Sequence, residues 1–146
     1  MIDYINIQKQ LLSAIGKQSA CAGVCVDEND VFVTIDQTIA YRIPRRKFFI
    51  DTRRMEEFNA LKNLFECVFA KELEDTGMLE VQGRRTLRIF RFPDGTTCKF
   101  DEKILKTVKA RKDEKYAYRS NGKKSAMQIF SNEVCVAIIL QVADRK

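Results

Sequence analysis

The chain of 146 residues contains no histidine. That removes Ser-His-Asp catalysis, imidazole acid–base work and histidine metal ligation together. Glycine is scarce at six residues, and no glycine-rich phosphate loop occurs. Gly122-Lys123-Lys124-Ser125 has a Lys-Ser pair but neither the upstream glycine nor the following helix that such a loop needs. No Cys-x-x-Cys pair is present among the five cysteines. A four-thiolate zinc site from Cys21, Cys25, Cys67 and Cys98 therefore lacks its usual spacing, and free thiols are the reading. The longest unbroken apolar run, Val134 to Leu140, is seven residues, against about 20 for a membrane-spanning helix. The start, MIDYINIQKQLL, has no basic region followed by a long apolar one, so no secretory signal is read there and residence in the cytosol is expected. No metal or cofactor is called for, and the chain is read as non-enzymatic.

What is present is a soluble, globular balance: 45% hydrophobic and 32% charged residues, with a net charge of +6. That length suits one domain with a real core. The mild positive charge permits contact with nucleic acid or an acidic partner. No low-complexity stretch or linker breaks the chain, so residues 1–146 are read as one domain.

Periodicity supplies the elements. Asp3 to Gln18 reads as an amphipathic helix with Ile7, Leu11, Ala14 and Ile15 on one face and Gln8, Lys9, Gln10, Lys17 and Gln18 on the wet side. Three strand-like runs follow, Ala22–Val26, Val31–Asp36 and Ile39–Ile43, closed by Pro44. Asp51 or Thr52 is placed to cap a second helix over 54–71, whose core-facing stripe is Met55, Phe58, Leu61, Leu64, Phe65, Val68 and Phe69. Met78–Val81 reads as a short strand. Residues 86–100 read as a hairpin about the Pro93-Asp94-Gly95-Thr96 turn. Asp101 then caps a helix to about Ala110, with Ile104, Leu105 and Val108 inside. Lys103, Lys106 and Lys109 sit at spacing three on its outer face, and Arg111 and Lys112 extend the charge. Three strands, Tyr116–Arg119, Ala126–Phe130 and Val134–Val142, close the chain. Residues 1–44 and 86–146 thus repeat one plan, a helix followed by three strands, with residues 45–85 as an insertion.

This doubled plan resembles a single domain of the DNA sliding clamps, the bacterial DNA polymerase processivity clamp above all. The resemblance rests on Phe100-Asp101-Glu102-Lys103-Ile104-Leu105 with Thr107 to Ala110, where an aromatic and a short polar residue open a helix. It rests also on Tyr116 to Val142, with Lys124 to Ile129 in the place of the family's small-residue strand before an aliphatic last one. It implies an α+β, clamp-like fold: a mostly antiparallel sheet with helices on one face; the helix read over 54–71 is additional to that two-helix pattern. It implies a helix-lined surface facing DNA, made by Lys9, Lys17, Lys103, Lys106, Lys109, Arg111 and Lys112. It also implies partners: DNA without sequence preference, other replication or repair proteins, and further copies of the chain, because a closed ring takes six such domains. Regularly spaced lysines beside apolar packing suit sequence-independent phosphate contact, where affinity comes from counterion release. The alternative is a protein-interaction or assembly module on the same fold, with no DNA binding.

Two further features are weighed here. Carboxylate pairs such as Glu56-Glu57 and Glu72 with Asp75 read as solvated. Arg84, Arg85, Arg88 and Arg91, interleaved with Phe90 and Phe92, read as guards of an edge strand or a general basic surface rather than as a base-stacking platform.

Overall fold

The computed structural model describes residues 4–16, 22–35, 38–108, 115–122 and 124–142. The fold is α+β. Its helices are α1 (Tyr4–Gly16), α2 (Leu61–Glu66) and α3 (Glu102–Val108). Its strands are β1 (Ala22–Val26), β2 (Asp30–Ile35), β3 (Ile39–Pro44), β4 (Glu56–Glu57), β5 (Lys71–Gln82), β6 (Arg85–Arg91), β7 (Thr97–Asp101), β8 (Tyr116–Ser120), β9 (Met127–Ser131) and β10 (Val134–Ile139). They form one ten-stranded sheet in the order β4-β1-β2-β3-β10-β9-β8-β5-β6-β7. Every neighbouring pair is antiparallel except β4 with β1, which is parallel.

The doubled helix-plus-three-strands order is present, and β3 against β10 joins its two ends, with Ala137 opposite Tyr41. Alternation decides which residues go inward. In β2, Val31 and Val33 enter the main core while Phe32 faces the other way; in β3, Ile39, Tyr41 and Ile43 enter it while Ala40 does not. The same main core takes Ile7 and Leu11 of α1 and Leu105 and Val108 of α3. Both helices therefore cover one face of the sheet. α1 leans on β1, and α3 leans on β6 and β7. The sheet curls round this core: the Val142 N–H beyond β10 donates to the Lys99 carbonyl in β7, at 2.9 Å, although five strand steps separate β10 from β7 in the order.

β5 makes the curl. It pairs with β8 through Lys71–Leu73 and with β6 from Glu74 onward, with an irregularity between Asp75 and Leu79. Gly77 there has φ +75, a conformation that costs glycine little. Asp75 Oδ1 accepts from the Gly77 N–H at 3.0 Å, and Thr76 Oγ1 donates to the Ile89 carbonyl at 2.6 Å. The expected short strand at Met78–Val81 is thus the second half of a twelve-residue one.

The expected helix over 54–71 is the main difference. Only Leu61–Glu66 is α-helical; Thr52–Arg54 is a 3-10 turn capped by Asp51, and Glu56–Glu57 is an edge strand on β1. The apolar residues at helical spacing serve two cores. Met55 joins the main core, whereas Leu61 and Phe65 pack on the opposite face of the sheet with Phe32, Ala40, Cys135 and Ile138. One straight helix cannot reach round a sheet edge, so the segment is broken between Met55 and Leu61. Phe58, Leu64 and Val68, expected in the stripe, are exposed. α2 accordingly lies on the face opposite α1 and α3. No helix among the described residues is long and apolar enough to cross a membrane.

Candidate nucleic-acid interface

α1 is amphipathic at the positions its sequence dictates. Ile7, Leu11 and Ala14 are buried, and Lys9 and Gln10 are exposed. Gln8, expected on the solvated face, is buried instead. It is 1% exposed and spends its amide on the chain beyond β3: Nε2 donates to the Lys47 carbonyl at 2.9 Å, and Oε1 accepts from the Phe49 N–H at 2.9 Å. The turn Arg45–Lys47 is thereby laid along α1. Lys47 Nζ stands 5.2 Å from the Tyr4 ring centroid, a cation–π contact. Arg45 and Arg46 are exposed beside it.

α3 starts as expected. Asp101 Oδ1 accepts from the Lys103 N–H at 2.9 Å, which satisfies an otherwise orphaned donor of the first turn. Leu105 and Val108 are buried; Lys103 and Lys106 are exposed, one turn apart. The first turn is tied down by Arg88 of β6. Its Nε donates to Asp75 Oδ1 at 2.7 Å, and its Nη1 lies 3.4 Å from Glu102 Oε1. The hydrogen bond to Asp75 holds the guanidinium above its usual range.

Of the expected DNA-facing residues, Lys9, Lys103 and Lys106 are thus exposed on two helices that share a core. Lys17, Lys109, Arg111 and Lys112 lie outside the described residues. Arg45, Arg46 and Lys47 join the surface on structural grounds. Their basic run is visible in the sequence, but its place beside α1 rests on Gln8, 39 and 41 positions away, and no local pattern encodes that.

The sheet sorts the cations into two groups. On β6, β7 and β8, Arg88 is neutralised by Asp75 and Glu102, Lys99 by Glu80 at 2.7 Å, Arg91 by Glu74 at 3.7 Å and Arg119 by Glu72 at 3.3 Å, whereas Arg85, which opens β6, is exposed without an ion pair among the described residues. Glu72 and Asp75 are therefore ion-paired as well as partly solvated. Lys9, Arg45, Arg46, Lys103 and Lys106 carry no ion pair or side-chain hydrogen bond among the described residues. A cation without an internal partner keeps its charge available to an external anion.

Among the described residues, four cysteines are free thiols: Cys25, Cys67, Cys98 and Cys135. Burial pushes Cys98 and Cys135 up from the ordinary range to about 12, so both stay protonated at neutral pH. Cys25 and Cys67 donate to main-chain carbonyls, those of Asn59 and Leu64. No group of three or more Cys, Asp or Glu side chains among the described residues is arranged to hold a metal ion. Comparison with protein-family models, curated proteins and solved structures gives no match to this chain.

Proposed function

We propose that the protein is a non-catalytic, DNA-associated module of clamp-like architecture, an accessory factor of replication or repair that contacts the phosphate backbone through its helix-bearing face. The observation that carries this reading is the unpaired state of Lys9, Lys103 and Lys106 on α1 and α3, with Arg45 and Arg46 beside α1. Both helices are anchored by apolar stripes in one core, so the charges ride on rigid elements. Phosphate contact of this kind needs charge at regular intervals and no base-reading side chains, and its affinity comes from released counterions. Lys109, Arg111 and Lys112 continue the α3 charge along the sequence. Encircling a duplex would take further copies of the chain; a contact through the helices does not depend on ring closure.

Binding of a random-sequence duplex, measured by fluorescence anisotropy from 50 to 200 mM salt, tests the reading. Log K falls linearly with log salt, and Lys103→Gln with Lys106→Gln flattens the slope by about 1.8, close to 0.9 for each lost contact. Undetectable binding at the lowest salt, or an unchanged slope in the double variant, overturns it.

A further inference from the structure

The face opposite the helices carries a feature that DNA contact does not use. A cleft of about 220 Å³ opens between α2 and the sheet, lined by Phe58, Leu61, Leu64, Ile138 and Leu140, with Glu56 at its edge. Its floor is built for close approach. A Cβ on Gly23 would stand 2.9 Å from Cγ2 of Thr34, another residue of the lining, and 3.4 Å from Phe58 Cβ, so glycine in β1 keeps Thr34 in place and leaves Phe58 in ordinary contact. Three of the lining side chains remain well exposed: Phe58 at 44%, Leu64 at 41% and Leu140 at 45%. Scattered exposed apolar residues need no explanation, but three converging on one concavity mark a recognition surface.

We propose that this cleft takes the apolar anchor side chains of a segment of a partner protein that carries lysine or arginine beside them. Size and charge select this occupant. The cleft is smaller than the ~300–1,000 Å³ pockets that enclose drug-sized ligands, so it suits one or two side chains. Its fixed charge is acidic. Glu56 on the β4 edge is the one charged residue of its lining; it is exposed and carries no ion pair among the described residues. The nearby cation Lys62 is spent on Asp27 at 3.1 Å and Glu66 at 3.5 Å. Such a rim attracts a basic flank and repels anionic lipid and nucleic acid. The segment that builds the cleft, residues 56–66, lies within the insertion between the two helix-plus-strand halves, so the site does not rest on the DNA-binding reading.

The test uses two N-acetylated, C-amidated tetrapeptides, KFLK and EFLE, titrated into the isotope-labelled full chain and followed by amide chemical shifts. KFLK perturbs Gly23, Phe58, Leu64 and Leu140 and binds about tenfold more tightly than EFLE, a difference of ~1.4 kcal/mol. Glu56→Gln, at an exposed position, brings the two peptides within about twofold. Leu64→Gln weakens both while leaving duplex DNA affinity unchanged. Equal or tighter binding of EFLE, perturbation centred elsewhere, or no saturable shift with either peptide overturns the proposal. So does a concentration-dependent dimer abolished by Leu64→Gln, which would make a second copy of the chain the occupant.

Discussion

Gln8 and Gln128 are almost completely buried, at 1% and 0% exposure, and both satisfy main-chain groups of segments distant in the chain. Gln128 in β9 is the more heavily used. Its Nε2 donates to the carbonyls of Leu64 at 2.9 Å and Cys67 at 2.7 Å, and its Oε1 accepts from the Phe69 N–H at 2.9 Å. These are the groups left over where α2 ends and the chain turns into β5. Arg119 and Asn121 complete the attachment through the carbonyls of Phe69 and Ala70 and the Ala70 N–H. An apolar residue of similar size at 128 would strand the Phe69 donor and deprive two acceptors. At 1–3 kcal/mol for each buried group left unmade, partly relieved by water, Gln128→Leu is expected to cost about 3 kcal/mol. Urea unfolding reads this as a lower midpoint at an unchanged slope; a midpoint within experimental scatter of wild type would show that the three bonds contribute nothing net.

The elements that were readable from sequence are those whose period agrees with one environment. α1, β1, β2 and β3 lie within a residue or two of where alternation and helical spacing put them, because each shows one clean apolar face to the main core. Residues 54–71 depart from the single helix their spacing predicts because that spacing is shared between two environments: Met55 belongs to one core and Leu61 and Phe65 to the other. Spacing reports that residues are apolar at intervals and is silent on which side of a sheet they meet. β5 was divided for a related reason. Gly77 and the acidic run before it read as the close of the preceding helix, yet Asp75 and Thr76 bond the bulge so that the strand continues through it. The role of Arg88 was equally hidden, since its partners Asp75 and Glu102 lie 13 and 14 residues away in opposite directions. Arg88 ties β6 to the bend of β5 and to the first turn of α3, with Glu102 only 8% exposed. Arg88→Leu removes the charge beside a nearly buried carboxylate, at an expected cost of about 2 kcal/mol after allowing for the partial exposure of the pair. The loss is local, so hydrogen exchange in α3 accelerates more than in β9 or β10. Equal acceleration throughout would indicate a global effect and no special hold on α3.

At the scale of the whole molecule, a net charge of +6 says little until the charges are placed. The hairpin β6–β7 and the strand β8, on the other side of β5, hold arginines and lysines that the sequence presents as conspicuously basic, yet Arg88, Arg91, Lys99 and Arg119 are compensated by nearby carboxylates. The less conspicuous Lys9, Lys103, Lys106, Arg45 and Arg46 are among the uncompensated ones of the described residues. Arg84 and Arg85 at the β5–β6 turn are the test of this distinction. Both are exposed and have no ion pair among the described residues, but they sit at a hairpin tip rather than on the helix-bearing face. If the helices carry the phosphate contact, Arg84→Gln with Arg85→Gln removes the same formal charge as Lys103→Gln with Lys106→Gln and yet changes the salt slope far less. Counterion release counts phosphates actually neutralised, about 0.9 in slope for each, and long-range charge alone is screened within ~8–10 Å at these salt concentrations. The two double variants, measured on one duplex over one salt range, should therefore separate by more than one unit of slope. Equal flattening would extend the DNA-binding surface to the hairpin tip, and flattening by the hairpin variant alone would move it there and away from α3.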